Sequence, residues 1–262
     1  MKLSLSNIGW AVENDAEVYS MMKNYGFTGL EIAPTRIFSK QPYDKLDDAR
    51  AWADKLKAEN GFVVPSMQSI WYGRTEKLFG TDEERSALVD YTKKAIDFAE
   101  TVGCKNLVFG CPRNRSIPDG ADERIAIKFF KEIGDYAAEH GTVIGMEANP
   151  PIYNTNYIND TVSALELIEK VESEGFKLNL DVGTIVENGE DVNVLKGSEK
   201  YINHVHISEP GLKPIEERQL HRDLGALLKA CNYNGFVSIE VGKQEKVEDL
   251  ENMMRYVEEI FG

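Results

Sequence analysis

Four acidic or imidazole side chains stand at the ends of short apolar runs in the second half of the sequence. They are Glu147 in MEANP, Asp181 in LNLDVG, His206 in HVHIS and Glu240 in SIEVG. If these runs are neighbouring strands, the three carboxylates meet in one place, where they repel one another unless a cation lies between them. Three carboxylates and one imidazole suit Mn²⁺, Mg²⁺, Co²⁺ or Zn²⁺, and oxygen-rich coordination favours the harder ions. The set therefore predicts a site for one divalent cation.

The segment INHVHISEP carries two of the four histidines of the chain, His204 and His206. Residues two apart in a strand point to the same face, so both imidazoles share one face and Val205 and Ile207 share the other. His206 lies nearer to the strand end at which the acids stand, and it is the predicted ligand. His204, one layer deeper, is predicted to be a hydrogen-bonded support whose removal mainly lowers stability.

The elements that must position these groups alternate along the chain. Eight β-rich runs are separated by segments with helical periodicity. The predicted strands cover residues 2–8, 28–34, 62–69, 106–112, 143–149, 176–183, 202–208 and 235–242. The predicted helices cover about 14–25, 45–59, 81–103, 122–140, 161–173, 190–200, 216–231 and 245–260, and the third of them begins with a capping box formed by Thr81 and Glu84.

Strict alternation of strands and helices favours a parallel sheet with the helices outside it. Eight repeats predict closure into a single (β/α)8 TIM barrel over residues 1–262, since such barrels typically have about 250 residues. An open doubly wound sheet is the main alternative, but the sequence has no GxGxxG loop after an early strand. In (β/α)8 barrels the active site lies at the carboxyl ends of the strands, where the four candidate ligands stand.

The composition excludes several classes of partner. A formal net charge of −14 disfavours nucleic-acid and anionic-membrane binding, because the field of the protein repels phosphate groups.

The cysteines and the N-terminus bear on the compartment. Cys104, Cys111 and Cys231 are an odd and widely spaced set, which is typical of reduced thiols. The N-terminus lacks the features of a signal peptide, and no apolar run approaches the roughly 18 residues of a membrane span. We therefore predict a cytoplasmic protein with neither a nucleic-acid nor a membrane partner.

With HVH in the seventh predicted strand and SIE in the eighth, the sequence resembles the xylose isomerase-like barrel superfamily. The similarity is to its sugar phosphate isomerase/epimerase branch, which includes ketose 3-epimerases, hydroxypyruvate isomerase and inosose dehydratase. It covers nearly the whole chain, and NYNGFVSIEV at 232–241 is its most specific part. The resemblance implies that one divalent cation, most often Mn²⁺, is bound by Glu147, Asp181, His206 and Glu240.

The sequence departs from this pattern at two positions. Ketose 3-epimerases similar to this chain have a substrate-binding histidine three residues after the strand-six aspartate, where this sequence has Thr184. They also have an arginine six residues after the strand-seven histidine, where this sequence has Leu212. The resemblance therefore implies the cation site and leaves the identity of the sugar open.

The implied chemistry begins at a carbonyl group. A divalent cation that binds a carbonyl and its neighbouring hydroxyl acidifies the adjacent C–H and stabilises the enediolate. The resemblance implies that Glu147 and Glu240 are catalytic and face the substrate from opposite sides. Proton return by the second carboxylate gives epimerisation, and return by the first to the neighbouring carbon gives aldose–ketose isomerisation. Expulsion of a hydroxyl group from the same intermediate would make the protein a dehydratase or lyase acting on a sugar or inositol derivative.

Sugar-compatible side chains surround the predicted mouth of the barrel. The candidate substrate contacts are Gln68, Trp71, Asn149, Tyr153 and His221. Aromatic rings can stack on the apolar face of a sugar while amide groups bind its hydroxyls. A second group could hold an acidic or phosphorylated substrate or could form ordinary surface ion pairs. This group comprises Glu31, Arg36, Arg113 and Arg115.

Two other classes of function share the predicted fold. A sugar-binding barrel without catalysis is an alternative, and Thr184 and Leu212 are the residues that favour it. An endonuclease IV-like DNA repair enzyme requires a histidine-rich cluster of three zinc ions, which four histidines cannot furnish, and the charge of −14 is wrong for a duplex binder. The expected partners are a small sugar substrate and a second copy of the chain, since barrels of this kind commonly form homo-oligomers.

Overall fold

Seven parallel strands form one curled sheet in the computed structural model, which describes residues 1–262. In sheet order they are β2, β1, β7, β6, β5, β4 and β3. Their bounds are Lys2–Ser6 (β1), Phe27–Glu31 (β2), Leu107–Phe109 (β3), Ile144–Met146 (β4), Phe176–Asp181 (β5), Ile202–Ile207 (β6) and Phe236–Ile239 (β7). This is the architecture of a TIM barrel, with seven of the eight predicted strands present as continuous strands.

The segment 62–69, predicted as a strand, makes only isolated bridges. It lies between β2 and β3, the two end strands of the sheet, and contacts both. Val63 N–H donates to the Thr28 carbonyl at 3.0 Å, and Val108 N–H donates to the Met67 carbonyl at 2.8 Å. Pro65 has no N–H to donate, so a regular ladder cannot run through the middle of the segment. The prediction of a continuous eighth strand is therefore not confirmed.

Nine helices accompany the strands. Their bounds are Asp15–Asn24 (α1), Pro34–Ile37 (α2), Leu46–Asn60 (α3), Asp82–Val102 (α4), Arg124–Glu139 (α5), Thr161–Val171 (α6), Val182–Asn188 (α7), Gln219–Ala230 (α8) and Val247–Phe261 (α9). The predicted helix at 190–200 is wrong, because that segment contains only the short 3₁₀ turns Val192–Leu195 and Glu199–Tyr201. The helix of this repeat begins directly after β5 instead, where Asp181 accepts a hydrogen bond from Thr184 N–H and caps α7.

The apolar core lies between the sheet and the helices. Strand residues that point outward, such as Val205 and Ile207, are fully buried there, as the alternation of β6 predicts. Aromatic rings fill one side of this layer: Phe130 lies 4.9 Å from Phe109 and stacks on Phe176 at 4.8 Å, measured between ring centroids. The layer holds the strands in place and leaves their inward-pointing side chains free for another role.

The inside of the barrel is polar, whereas branched aliphatic side chains usually fill such barrels. Asn179 donates to Glu147 Oε2 at 3.0 Å and accepts a hydrogen bond from Asn106 at 3.1 Å. Asn106 also donates to Ser66 Oγ at 3.0 Å. Since buried polar groups are costly unless they are hydrogen-bonded, this connected network supports the groups at the mouth.

None of the helices combines the length and the apolar composition needed to cross a lipid bilayer.

The capping box at the start of α4 provides a direct test of local stability. Thr81 Oγ1 accepts from Glu84 N–H, and Glu84 Oε2 accepts from Thr81 N–H at 2.9 Å. We expect Thr81→Ala to lower the free energy of unfolding by about 1 kcal/mol, because a helix N-cap is lost. Urea unfolding measures the change. Thr101→Ala, in the last turn of the same helix, is the control and should leave stability equal or slightly higher. A T81A variant as stable as the wild type would contradict the assignment of the cap.

Candidate active site

The four predicted ligands converge at the carboxyl ends of four adjacent strands. Asp181 ends β5, His206 lies in β6, and Glu147 and Glu240 directly follow β4 and β7. One potential ligand atom from each of the four lies within 4.8 Å of the others. His206 Nδ1 is 3.1 Å from Glu147 Oε2 and 3.1 Å from Glu240 Oε2. Both glutamates therefore contact the same nitrogen of the imidazole.

The two glutamates have matching environments. Each carboxylate presents Oε2 to His206, and an amide from a neighbouring loop holds its Oε1. Asn149 Nδ2 donates to Glu147 Oε1 at 3.0 Å, and Gln68 Nε2 donates to Glu240 Oε1 at 3.0 Å. These bonds orient both carboxylates toward the same point.

Asp181 is held by the start of the helix that it caps. Its Oδ2 accepts hydrogen bonds from Thr184 N–H and Thr184 Oγ1, each at 2.8 Å, and Ser208 Oγ donates to its Oδ1. Thr184 is only 1% exposed, so it faces the aspartate and not the cavity. The residue at the position of a substrate-binding histidine in similar epimerases thus has a supporting role here.

Glu31 is the important site residue that the sequence did not reveal. It was a candidate for a substrate contact or a surface ion pair, but it is fully buried at the end of β2. Its Oε2 is 2.9 Å from His206 Nε2 and 3.0 Å from His204 Nε2. His204 is therefore a hydrogen-bonded interior residue, as predicted.

Of the three candidate arginines, Arg115 lies elsewhere than expected, and Arg36 forms an ion pair, which is one of its two predicted roles. Arg115 is fully buried and donates to the Glu147 carbonyl at 2.8 Å and to Asn149 Oδ1 at 3.1 Å. Burial lowers the pKa of this guanidinium to about 10. Arg36 forms an ion pair with Asp15 at 2.6 Å. Arg115 thus fixes the backbone of the site, and only Arg113 of this group lines the cavity.

A cavity of about 570 Å³ opens above the four ligands. Gln68, Trp71, Asn149 and Tyr153, four of the five predicted substrate contacts, line it. The wall also needs Gly110, because a Cβ there would lie 2.9 Å from Glu147 Oε1. The size suits a small organic ligand such as a monosaccharide.

His221 is the predicted contact that the structure places elsewhere. The residue is fully buried in the first turn of α8, and its Nδ1 is 2.9 Å from the hydroxyl of Tyr256 in α9. Burial lowers the pKa of His221 to about 4, so the ring is neutral near pH 7. Its side of α8 packs against α9, away from the residues that line the cavity, so it is a core residue and not a substrate contact.

Burial and mutual repulsion shift the pKa values of the site. Burial raises the pKa of Glu240 to about 7, against the opposing effect of His206. Burial and the charge of Glu147 raise the pKa of Asp181. For His206, burial is outweighed by the carboxylates of Glu240, Glu31 and Glu147, which raise its pKa well above the usual value. The protein alone thus lacks enough positive charge to keep all of these carboxylates ionised.

The donor set fits one divalent cation. Three carboxylates and one imidazole nitrogen supply ligands of the kind that Mn²⁺, Mg²⁺, Co²⁺ and Zn²⁺ accept. His206 Nδ1 faces Glu147 and Glu240, and its other nitrogen, Nε2, is hydrogen-bonded to Glu31. Such a contact at the second nitrogen is typical of metal-binding histidines. A cation would also relieve the repulsion that raises the pKa values of Asp181 and Glu240.

The model of the xylose isomerase-like TIM-barrel family matches residues 20–260 of the chain. The chain therefore belongs to this family. A comparison with curated proteins finds no match to the sequence.

Solved structures of similar fold cover nearly the whole chain. The 3-keto-D-glucoside 4-epimerase of E. coli has a TM-score of 0.78 and 19% identity over 99% of both chains. The D-psicose 3-epimerase of Clostridium cellulolyticum H10 has a TM-score of 0.78 and 14% identity over 100% of this chain and 99% of the other. The probable 3-DHS dehydratase of Bacillus anthracis has a TM-score of 0.69 and 17% identity over 97% of this chain and 98% of the other. At these identities, the similarity shows a shared fold.

The shifted pKa values predict that cation binding releases protons. Glu240, whose pKa is about 7, is partly protonated near neutral pH, and the raised pKa of His206 favours its protonated form, so a cation must displace protons from both. We expect the affinity for Mn²⁺ to rise with pH between 6 and 8, by about tenfold per pH unit for each proton displaced. Isothermal titration calorimetry in buffers of different ionisation enthalpy counts the protons. Binding that is equally tight at pH 6 and pH 8 would contradict these assignments.

Proposed function

We propose that the protein is a divalent-cation-dependent isomerase or epimerase of a small sugar or sugar derivative. The observation that carries the proposal is the matched pair of Glu147 and Glu240, each with Oε2 3.1 Å from His206 Nδ1, beneath a cavity of about 570 Å³. We infer that the two carboxylates reach a bound carbon from opposite faces, where they can exchange a proton with both faces.

The fold relatives support this proposal. Two of the structures described above are named as epimerases of a keto-glucoside and of a ketose, and both extend over essentially the whole chain. Since similarity at this level of identity establishes the fold alone, the assignment of the reaction depends on the side chains of this chain.

One divalent cation, which we take to be Mn²⁺, would be held by Glu147, Asp181, His206 and Glu240. When bound, it would supply Lewis-acid polarisation of a substrate carbonyl, which acidifies the neighbouring C–H. Its charge would also keep the ligand carboxylates ionised at neutral pH, where Glu240 alone is only partly so.

The chain's own residues perform the proton transfers. One glutamate removes the proton next to the substrate carbonyl and holds it, and the other supplies a proton to the opposite face of the same carbon. The product is the epimer, and the carbon receives one proton for the one that it loses. If the glutamate that took the proton returns it to the adjacent carbon, the product is the isomer. The amides of Gln68 and Asn149 hold the two carboxylates in orientation during these steps.

The remaining cavity residues would position the substrate. The amides of Gln68 and Asn149 are already hydrogen-bonded to protein groups, so we assign them mainly to the glutamates. Tyr153 lines the cavity and its hydroxyl accepts from Gly211 N–H at 2.8 Å, which links two loops over the mouth. Trp71 donates from Nε1 to Thr92 Oγ1 at 2.8 Å, and it is left to offer an apolar surface. Tyr153 and Trp71 are therefore the proposed sugar contacts.

A dehydratase is the second candidate, favoured by the fold relative that is named as a probable dehydratase. The same glutamate would remove the proton, and the pair of electrons left behind would expel a neighbouring hydroxyl, which would take a proton from the other glutamate and leave as water. A panel of ketoses and keto-acids incubated with Mn²⁺-loaded protein in D₂O separates the possibilities. An unchanged carbon skeleton with deuterium at one position indicates an isomerase or epimerase, and a product lighter by one water indicates a dehydratase.

Substitution of each glutamate tests the two-base assignment. We expect Glu147→Gln and Glu240→Gln to lower turnover by about 10²- to 10⁴-fold, the usual contribution of general acid–base catalysis. In an epimerase, each variant should still exchange the α-proton of the one epimer that faces the remaining glutamate. Nuclear magnetic resonance measures this exchange in D₂O.

Glu216→Gln is the matched control for these variants. Glu216 is an exposed carboxylate that pairs with Arg218 at 3.0 Å and does not line the cavity, so this variant should keep its turnover. Unchanged turnover in both E147Q and E240Q would contradict the two-base assignment, whereas a wild type that binds a sugar without any turnover or proton exchange would be a sugar-binding barrel.

A further inference from the structure

Glu31 connects two histidines inside the barrel through one oxygen atom. Its Oε2 lies 2.9 Å from His206 Nε2 and 3.0 Å from His204 Nε2. Both distances are those of hydrogen bonds. Glu31 and His206 are fully buried and His204 is 1% exposed, so water does not compete for these contacts.

This contact determines which nitrogen of His206 has a lone pair available for a cation. A neutral imidazole has one N–H and one lone pair, and an ionised carboxylate can only accept hydrogen bonds. When His206 is neutral, as a cation ligand must be, Glu31 on the Nε2 side keeps the one proton on Nε2 and leaves the lone pair on Nδ1. Nδ1 is the nitrogen that lies 3.1 Å from both Glu147 and Glu240.

Glu31 is itself held from two directions. It ends β2, where its backbone pairs with Ser6 of β1, so its Cα cannot shift without moving the sheet. His204 supplies a second donor to the same oxygen, with its ring nearly perpendicular to that of His206 at a centroid distance of 5.3 Å. The sheet and His204 together therefore fix the position of this carboxylate oxygen beside His206.

We propose that Glu31 is the positioning residue of the cation site, where its contact with Nε2 keeps His206 in the tautomer that offers Nδ1 to the cation. It never contacts the cation or the substrate. This inference rests on the proposed cation site and adds to it a residue outside the predicted ligand set. The hydrogen bond also prevents rotation of the ring, so the ligand atom is in place before binding.

Glu31, His204 and His206 form a cluster that could in principle hold a cation of its own. That arrangement would require lone pairs on Nε2 of both histidines. His206 would then have to give up both of its protons to serve two cations at once, whereas two N–H donors to one carboxylate need no such loss. The stoichiometry of binding distinguishes the two arrangements.

The test compares Glu31→Gln with the wild type and with Ser238→Ala. Glutamine keeps the size of Glu31 but removes its negative charge, so its oxygen is a weaker acceptor for the two imidazole N–H groups. Ser238 pairs with His206 across β6 and β7 and is fully buried, and its hydroxyl has no hydrogen-bond partner, so S238A changes the interior without changing the site.

Calorimetry with Zn²⁺ should show one ion per chain for all three proteins. Affinity should fall about 10- to 100-fold in E31Q, as for other second-layer partners of metal-binding histidines, and stay within about threefold of the wild type in S238A.

The second measurement reports on the imidazole directly. In the Zn²⁺-loaded wild type, long-range ¹H–¹⁵N correlation spectra should show the His206 proton on Nε2, slow to exchange with solvent. In E31Q this signal should be lost or should exchange rapidly, while the spectrum of S238A is unchanged. A loss of packing alone would not alter the tautomer.

Three results would overturn the proposal. They are an E31Q variant with wild-type affinity and tautomer, equal losses of affinity in E31Q and S238A, or two ions per wild-type chain. Failure of the wild type to bind Zn²⁺, Mn²⁺ or Mg²⁺ would instead remove the proposed cation-dependent function itself. Failure of the Glu31 proposal and failure of the proposed cation-dependent function therefore give different results.

Discussion

Repulsion among buried carboxylates is the constraint on which the rest of the structure depends. Glu147, Asp181 and Glu240 meet within a few ångströms of one another, with Glu31 just behind them. A buried carboxylate without a compensating charge or hydrogen bonds would take up a proton or destabilise the fold. His206 contacts three of these four acids, and the pKa values of Asp181 and Glu240 nevertheless remain raised. The site is thus built for a charge that the chain does not itself supply.

The barrel accommodates this concentration of charge by hydrogen bonding. Amides from Gln68, Asn149 and Asn179 donate to the glutamates, and hydroxyl groups from the first turn of α7 and from the residue after β6 donate to Asp181. Polar side chains extend this hydrogen-bond network from the site toward the middle of the barrel, where most (β/α)8 barrels have aliphatic side chains. The aromatic and aliphatic layer between sheet and helices then provides the main hydrophobic stabilisation. The residues of the candidate site lie inside the barrel, and the apolar packing that stabilises the fold lies between the sheet and the helices.

The site residues that could be read from the sequence share one property: each ends a run of apolar strand residues. Glu31 has the same property, but its strand was predicted to continue to residue 34, and the true end of β2 at Glu31 is visible only in the structure. Arg115 gave no such signal. It lies in a polar loop, and its partners, the carbonyls of Glu147 and Ile158, are 32 and 43 residues away. Contacts of that kind depend on the closed barrel and have no local pattern.

The main errors in the fold also have local physical causes. Pro65 prevents a continuous ladder in the segment between β2 and β3, although the residues around it have strand-like composition. Asp181 starts a helix at the residue after the strand because its side chain caps it, so the helix at 190–200 was placed too late. His221 was placed at the mouth because it opens a helix, but the face of that helix on which it lies could not be known without α9.

The central claim is that Glu147, Asp181, His206 and Glu240 hold one divalent cation. Anomalous X-ray scattering from crystals grown with Mn²⁺ tests it most directly. We predict a single strong anomalous peak per chain, about 2.0–2.3 Å from an oxygen of each carboxylate and from His206 Nδ1. The absence of a peak, or a peak bound through other residues, would contradict the account.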